Sequence, residues 1–143
     1  MASAERSRGS IADRRLEPMS ANVWIRRAYD APTHNDGCRV LIDRVWPRGV
    51  SREALRIEAW ARPVAPSDEL RKWFDHRAER WDEFRRRYRA ELASGEARHQ
   101  LDELVALTRR RRVTLVYGAS DELHNNAVAL REVIEERLTP KGR

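Results

Sequence analysis

The sequence predicts one α/β domain, a small, mostly parallel sheet with helices on both faces. Three observations carry this expectation. Short apolar runs alternate with longer segments of helical periodicity. Each of the three clearest short runs ends in a polar loop. The chain has 143 residues, close to the commonest size of a single domain, and a chain of that length buries roughly two thirds of its unfolded surface without help from a disulfide or a metal.

Taken in order, residues 1–20 read as a disordered tail. Met1 to Pro18 are mostly charged or small, with Ile11 and Leu16 the sizeable apolar side chains, and a second methionine, Met19, stands just before the first strand. The domain itself is read as 21–139, with 140–143 a short C-terminal tail. Val23 to Tyr29 alternate as a strand does, with Val23, Ile25, Arg27 and Tyr29 on one side and Trp24, Arg26 and Ala28 on the other. Asp30 to Gly37 form a polar loop. Arg39 to Asp43 read as a strand buried on both faces. Pro47 and Gly49 make Arg44 to Ser51 an irregular loop. Leu55 to Trp60 read as a short extended piece.

Ser67 is expected to cap a helix whose first turn carries Asp68 and Glu69, with Leu70, Trp73 and Phe74 on one face. A second helix is predicted over Glu79 to Ala93, where Trp81, Phe84, Tyr88 and Leu92 share a face and Gly95 follows as a stop. A third is predicted over Ala97 to Arg110, with Arg109 to Arg112 at its negative end. Val113 to Tyr117 is the clearest strand, Gly118 to Ser120 a tight turn, and Asp121 to Leu138 a last helix. The helical spacing of Trp73, Phe74, Trp81, Phe84 and Tyr88 points to core packing rather than to a stacking platform.

Composition excludes several classes. The single cysteine, Cys38, forms no internal disulfide, no CxxC is present, and His34, His76, His99 and His124 are scattered, so no metal site is expected. No apolar run approaches the roughly 20 residues of a membrane span, and no secretory signal opens the chain. The cytoplasm is the expected location. The formal net charge of +6 comes from 29 basic and 23 acidic residues, almost all of the cations being arginine. That balance suits an ordinary arginine-rich surface first and a nucleic-acid partner second.

Ligands of parallel sheets bind beyond the carboxyl ends of the strands. This directs attention to Tyr29-Asp30, Asp43-Arg44 and Tyr117 to Asp121. The densest constellation is Asp43-Arg44-Val45-Trp46-Pro47-Arg48-Gly49. Two guanidinium groups there suit a carboxylate or phosphate, and Trp46 suits a flat surface. An internal ion pair of Asp43 with Arg44 or Arg48, with Trp46 in the core, is an equal alternative. At Tyr117-Gly118-Ala119-Ser120 a helix N-terminus could receive an anion. No GxGxxG or GxxxxGK[ST] is present, however, and Asp121 and Glu122 occupy the first turn, so a cap at Ser120 explains the turn equally simply. No serine has a nucleophile context, and Cys38 reads as a plain buried thiol.

These runs together resemble a known family. Arg27-Ala28-Tyr29-Asp30, Asp36 to Gly49 with its Asp-Arg-x-Trp-Pro-Arg-Gly loop, and Ala65 to Arg71 with Trp73-Phe74 are similar to the YeaO-like branch of the bacterial domain-of-unknown-function family 488. So are Phe84 to Leu92, Val113 to Tyr117 and His124-Asn125-Asn126-Ala127. The resemblance spans about Val23 to Leu138 and implies a small α/β domain with no particular reaction. Cys38 stands where relatives often carry tyrosine, and Ser120 where they often carry lysine. A Cys-His-Arg signature of a wider branch is absent.

The functional expectation is a small anionic, nucleotide-like ligand in a cleft at the strand ends. Arg44 and Arg48 hold the anion in this reading, Trp46 and Tyr117 form walls, and Tyr29, Asp43 and Asn125 orient polar groups. Asp43 is the first candidate for a general base. Two alternatives stand beside it. One is a nucleic-acid-associated module using Arg85 to Arg89 and Arg109 to Arg112; the other is a hydrolytic enzyme using the same cleft. No cofactor is identified, and no membrane partner is expected.

Overall fold

The computed structural model describes residues 22–139, and the segments read as tails lie outside them. Four strands form one all-parallel sheet: β1 (Val23–Arg27), β2 (Cys38–Leu41), β3 (Ala59–Trp60) and β4 (Val113–Tyr117), in the spatial order β1-β4-β2-β3. Five helices accompany them: α1 (Arg52–Leu55), α2 (Asp68–Phe74), α3 (Trp81–Glu91), α4 (Gly95–Thr108) and α5 (Asn126–Leu138). None of them is long and apolar enough to cross a membrane.

Alternation along the strands divides the core in two. Val23, Cys38, Val40, Val113 and Leu115 turn to one face, where they meet Phe84, Tyr88, Leu101, Leu104, Leu130 and Ile134 of the long helices. Leu41 and Val116 turn to the other, where they meet Ala28 and Leu55 with Trp46 and Trp60 alongside. Travel from β1 to β2 to β3 runs one way across the sheet, and travel from β3 to β4 runs back. Right-handed crossovers then demand connections on opposite faces. The packing of α1 on the second face and of α2 to α4 on the first meets that demand.

Several predicted boundaries move, each for a local reason. β1 stops at Arg27, and Ala28 adds one more hydrogen bond to the Tyr117 carbonyl. The piece read as extended from Leu55 begins instead with the end of a helical turn, because the Ser51 hydroxyl accepts from the Ala54 N–H; only Ala59–Trp60 pair with β2. Gly95 opens α4 rather than closing α3. The last helix starts at Asn126, since Asn125 and not Ser120 accepts from the Val128 N–H. The aromatic face does pack inward, with Phe74 and Phe84 stacked at 4.4 Å and the Tyr88 hydroxyl donating to the Val64 carbonyl.

A buried charged pair fixes the second face. The Arg39 guanidinium meets Asp36 Oδ2 at 2.7 Å and donates through Nε to the Leu55 carbonyl at 2.9 Å. Asp36 is 6% exposed and closes a capping box on Thr33. Gly37 follows at φ 66°, where an added Cβ would lie 2.4 Å from the Arg112 carbonyl oxygen, so no side chain fits. Burial alone would raise the Asp36 pKa. Hydrogen bonds from Thr33 and Arg39, with the nearby Arg26 charge, outweigh burial and hold it below the usual carboxylate range.

Because the folded pKa of Asp36 lies below its unfolded value, its stabilisation is complete above about pH 4 and is lost as pH falls through the folded value. We expect Asp36→Ala to cost about 3 kcal/mol at neutral pH, since it leaves a buried guanidinium without its counter-charge. Urea denaturation across pH should show that difference shrinking below about pH 4. A difference independent of pH would contradict the assignment.

Candidate functional site

The segments after β2 and β4, which are neighbours, leave the sheet toward opposite faces. A crevice must open between their carboxyl ends. There the structure has a hollow of about 470 Å³, bounded by the 43–48 loop, the turn at Gly118, the end of α2 and the approach to α5.

Asp43 stands where these walls meet. Its Oδ2 accepts from the Gly118 N–H at 2.9 Å, and its Oδ1 accepts from Asn126 Nδ2 at 2.9 Å. Asn126 Nδ2 also donates to the Ile42 carbonyl at 3.1 Å. A Cβ on Gly118 would lie 3.2 Å from Asp43 Oδ2, so a glycine keeps this approach free of crowding. Burial pushes the Asp43 carboxyl above its usual range; the Asn126 and Gly118 donors and the charge of Arg71 oppose that shift without cancelling it.

Arg44 clamps the other wall, donating through Nε to the Pro66 carbonyl at 3.1 Å and through Nη2 to the Ala65 carbonyl at 3.0 Å. Pro66 leads into α2, which is capped by the Ser67 hydroxyl; that hydroxyl and the Ser67 N–H both donate to Glu91 of α3. The helix ends in two consecutive left-handed residues, Asp75 (φ 48°) and His76 (φ 56°). Neither is glycine, and this costly geometry brings His76 to the rim of the hollow. His124 approaches from the other side. Asp121 accepts from the Leu123 and His124 N–H groups and faces His124 Nδ1 at 3.0 Å, while Trp81 meets the imidazole edge-on at 5.4 Å. The Leu123 N–H is the foremost cause holding Asp121 below the usual carboxylate range, with burial opposing.

Of the residues selected from the sequence, Asp43, Arg44, Trp46, Arg48 and Asn125 line this hollow. Arg48 is exposed, and its side chain has no partner among the described residues. Trp46 is a fixed wall, donating to the Val50 carbonyl and meeting Trp60 edge-on at 5.5 Å. Asn125 is spent on its cap and on the Asp121 carbonyl. The two tyrosines lie elsewhere. Tyr117 is 2% exposed within the main core. Its position in a parallel strand turns it under the helices. Tyr29 sits outside the hollow and donates to the Arg48 carbonyl at 3.0 Å, bracing the loop from behind.

Sequence reasoning did not single out Arg71 or His76; it placed Gly118 in a candidate anion-binding turn leading toward Asn126 without naming either as a site residue, and it set His124 aside as a metal ligand. His124-Asn125-Asn126 carried a readable signal, because a capping Asn125 leaves its two neighbours free to face the crevice. Arg71 and His76 carried none, since their placement depends on how α2 docks. Among the described residues no cluster of three or more metal-ligating side chains occurs.

The profile described as the inactive DUF488-N3 subclade matches residues 22–142. An uncharacterized protein of Mycobacterium tuberculosis strain H37Rv is 40% identical over 115 residues, covering 80% of this chain and 95% of its own length. The uncharacterized protein YeaO of Escherichia coli K12 is 36% identical over 109 residues, covering 76% of this chain and 93% of its own. No solved structure matches the chain.

The titration of Asp43 tests the geometry of the floor. A carboxyl midpoint followed by carbon NMR should lie above about 4, the ordinary value. Asn126→Ala should raise it further, because that change removes a donor to the ionised form. An unchanged or lower midpoint in Asn126→Ala would show that the Asn126 bond does not act on the carboxylate.

Proposed function

This chain belongs to the DUF488 family, within its YeaO-like branch, and on that premise we propose that it binds a small anionic ligand in the hollow between β2 and β4. One observation carries the reading: Arg44, Arg48 and Arg71 line a hollow that holds a single carboxylate, Asp43. Arg44 donates only to carbonyl oxygens and forms no ion pair with a carboxylate among the described residues. Arg71 has Asp68 as a partner at 2.9 Å, but both side chains are at least half exposed, and such a pair yields readily to a better acceptor. The volume suits a metabolite-sized molecule.

The arginines of the helix face support the same choice by contrast. Arg85 pairs with Glu132, Arg89 with Glu136, and Arg86 and Arg87 with Glu83. Their charge is spent within the protein, which favours the hollow over the helix face as the binding place. The description of the matching subclade as inactive supports binding without turnover. A cytoplasmic setting fits the lone buried thiol of Cys38, which needs no oxidising compartment.

Methyl phosphate titrated into the protein at low salt should give a saturable heat signal. Arg48→Ala and Arg71→Ala should each weaken binding by about tenfold, the worth of one charge-assisted contact. Arg86→Ala on α3 should leave it unchanged. Equal affinities in all four proteins, or no binding at all, would overturn the reading.

A further inference from the structure

The hydrogen-bonding groups around the hollow differ in what they leave free. Several backbone donors are already taken: the Gly118 N–H goes to Asp43, the Leu123 and His124 N–H groups go to Asp121, and the Val128 N–H goes to Asn125. Asp43 and Asn126 keep acceptors. Each Asp43 carboxylate oxygen takes one hydrogen bond from the protein and keeps a further lone pair. Asn126 directs its amide N–H groups at Ile42 and Asp43, and no donor among the described residues reaches its Oδ1. The cations are held by other groups: Arg44 is drawn toward Pro66, and Arg71 and Arg48 are exposed.

A phosphate placed against Asp43 would meet a carboxylate that already takes the Gly118 N–H. An anion therefore belongs with the guanidinium groups, and Asp43 and Asn126 call for hydrogen-bond donors. A cationic amine fits poorly, because three guanidinium groups against one carboxylate leave the lining positive. Neutral donors fit, and adjacent hydroxyl groups match two acceptors carried side by side by Asp43 and Asn126. Half-buried Trp46 and buried Pro47 and Pro66 give the carbon skeleton apolar walls.

Resting on the anion-binding reading above, we propose that the ligand is a phosphorylated polyol, bound with its vicinal hydroxyls donating to Asp43 and Asn126 and its phosphate among Arg44, Arg48 and Arg71. The orientation is the reverse of a phosphate seated on a helix N-terminus. Asp43 is in this account a specificity residue, and the arginines supply affinity common to any phosphate monoester.

Calorimetry with two probes on the wild-type protein separates this proposal from the reading beneath it. Ribose 5-phosphate should bind at least about tenfold more tightly than methyl phosphate, the scale of one or two net hydrogen bonds. Arg71→Ala should weaken both probes alike. Asp43→Asn should bring the ratio of the two affinities toward one, whatever it does to methyl phosphate alone; if that variant does not fold, Asn126→Ala carries the same arm. Equal affinity for the two probes, with both weakened by Arg71→Ala, would overturn the polyol assignment and leave anion binding standing. Binding of neither probe would overturn both.

Discussion

The Asp43 carboxylate joins two segments that the sheet sends in opposite directions. β2 delivers the chain to the face of α1, and β4 delivers it to the face of α5. Nothing in a parallel ladder holds such diverging ends together, because the ladder stops with the strands. Asp43 does so with two hydrogen bonds, one to the Gly118 backbone and one to Asn126 at the start of α5. Arg44, its neighbour, reaches the other way to Ala65 and Pro66. Two consecutive residues thereby set the width of the hollow. The cost is a carboxylate drawn out of water, which is why its titration moves upward despite two donors.

The same economy shows in how the arginines are used. On α3 they are matched to glutamates one or two turns away or on α5, so a strongly basic stretch of sequence becomes a nearly neutral lattice. At the hollow the partners are carbonyl oxygens or a solvated aspartate. A carbonyl satisfies a guanidinium donor without cancelling its charge. Positive potential therefore collects where the backbone is irregular and fades where the helices are regular. The formal charge of +6 is a poor guide to partners until this distribution is known.

Local patterns carried most of the fold. Alternation and helical periodicity located β1, β2, β4 and the longer helices α2 to α5, because each buries a continuous stripe. The errors fall where a single hydrogen bond decides, as with Ser51 starting α1 and Asn125 rather than Ser120 starting α5. The Asp43 to Arg48 loop was legible as a candidate site because proline and glycine shape it and because it follows a buried strand, and the structure places it along the hollow. Tyr117 was misplaced as a wall for a reason the alternation already contained: it shares a face with Val113 and Leu115, and that face carries helices. Arg71 and His76 were out of reach, since two left-handed residues at Asp75 and His76 leave no mark in composition. Neither residue type favours that geometry as glycine does.

Open parallel sheets commonly meet anionic ligands with backbone N–H groups at their crevice, through a glycine turn and a helix N-terminus. This domain has the turn and the helix and uses them differently. Asp43 takes the Gly118 N–H of the turn, Asp121 takes those of Leu123 and His124 just before α5, and the neutral Asn125 side chain takes that of Val128 in the first turn of α5. The N–H of the turn is thereby closed to a ligand, and the positive charge lining the hollow comes from the guanidinium groups of Arg44, Arg48 and Arg71. The absence of a glycine-rich phosphate fingerprint from the sequence is in keeping with a turn whose N–H already meets a carboxylate.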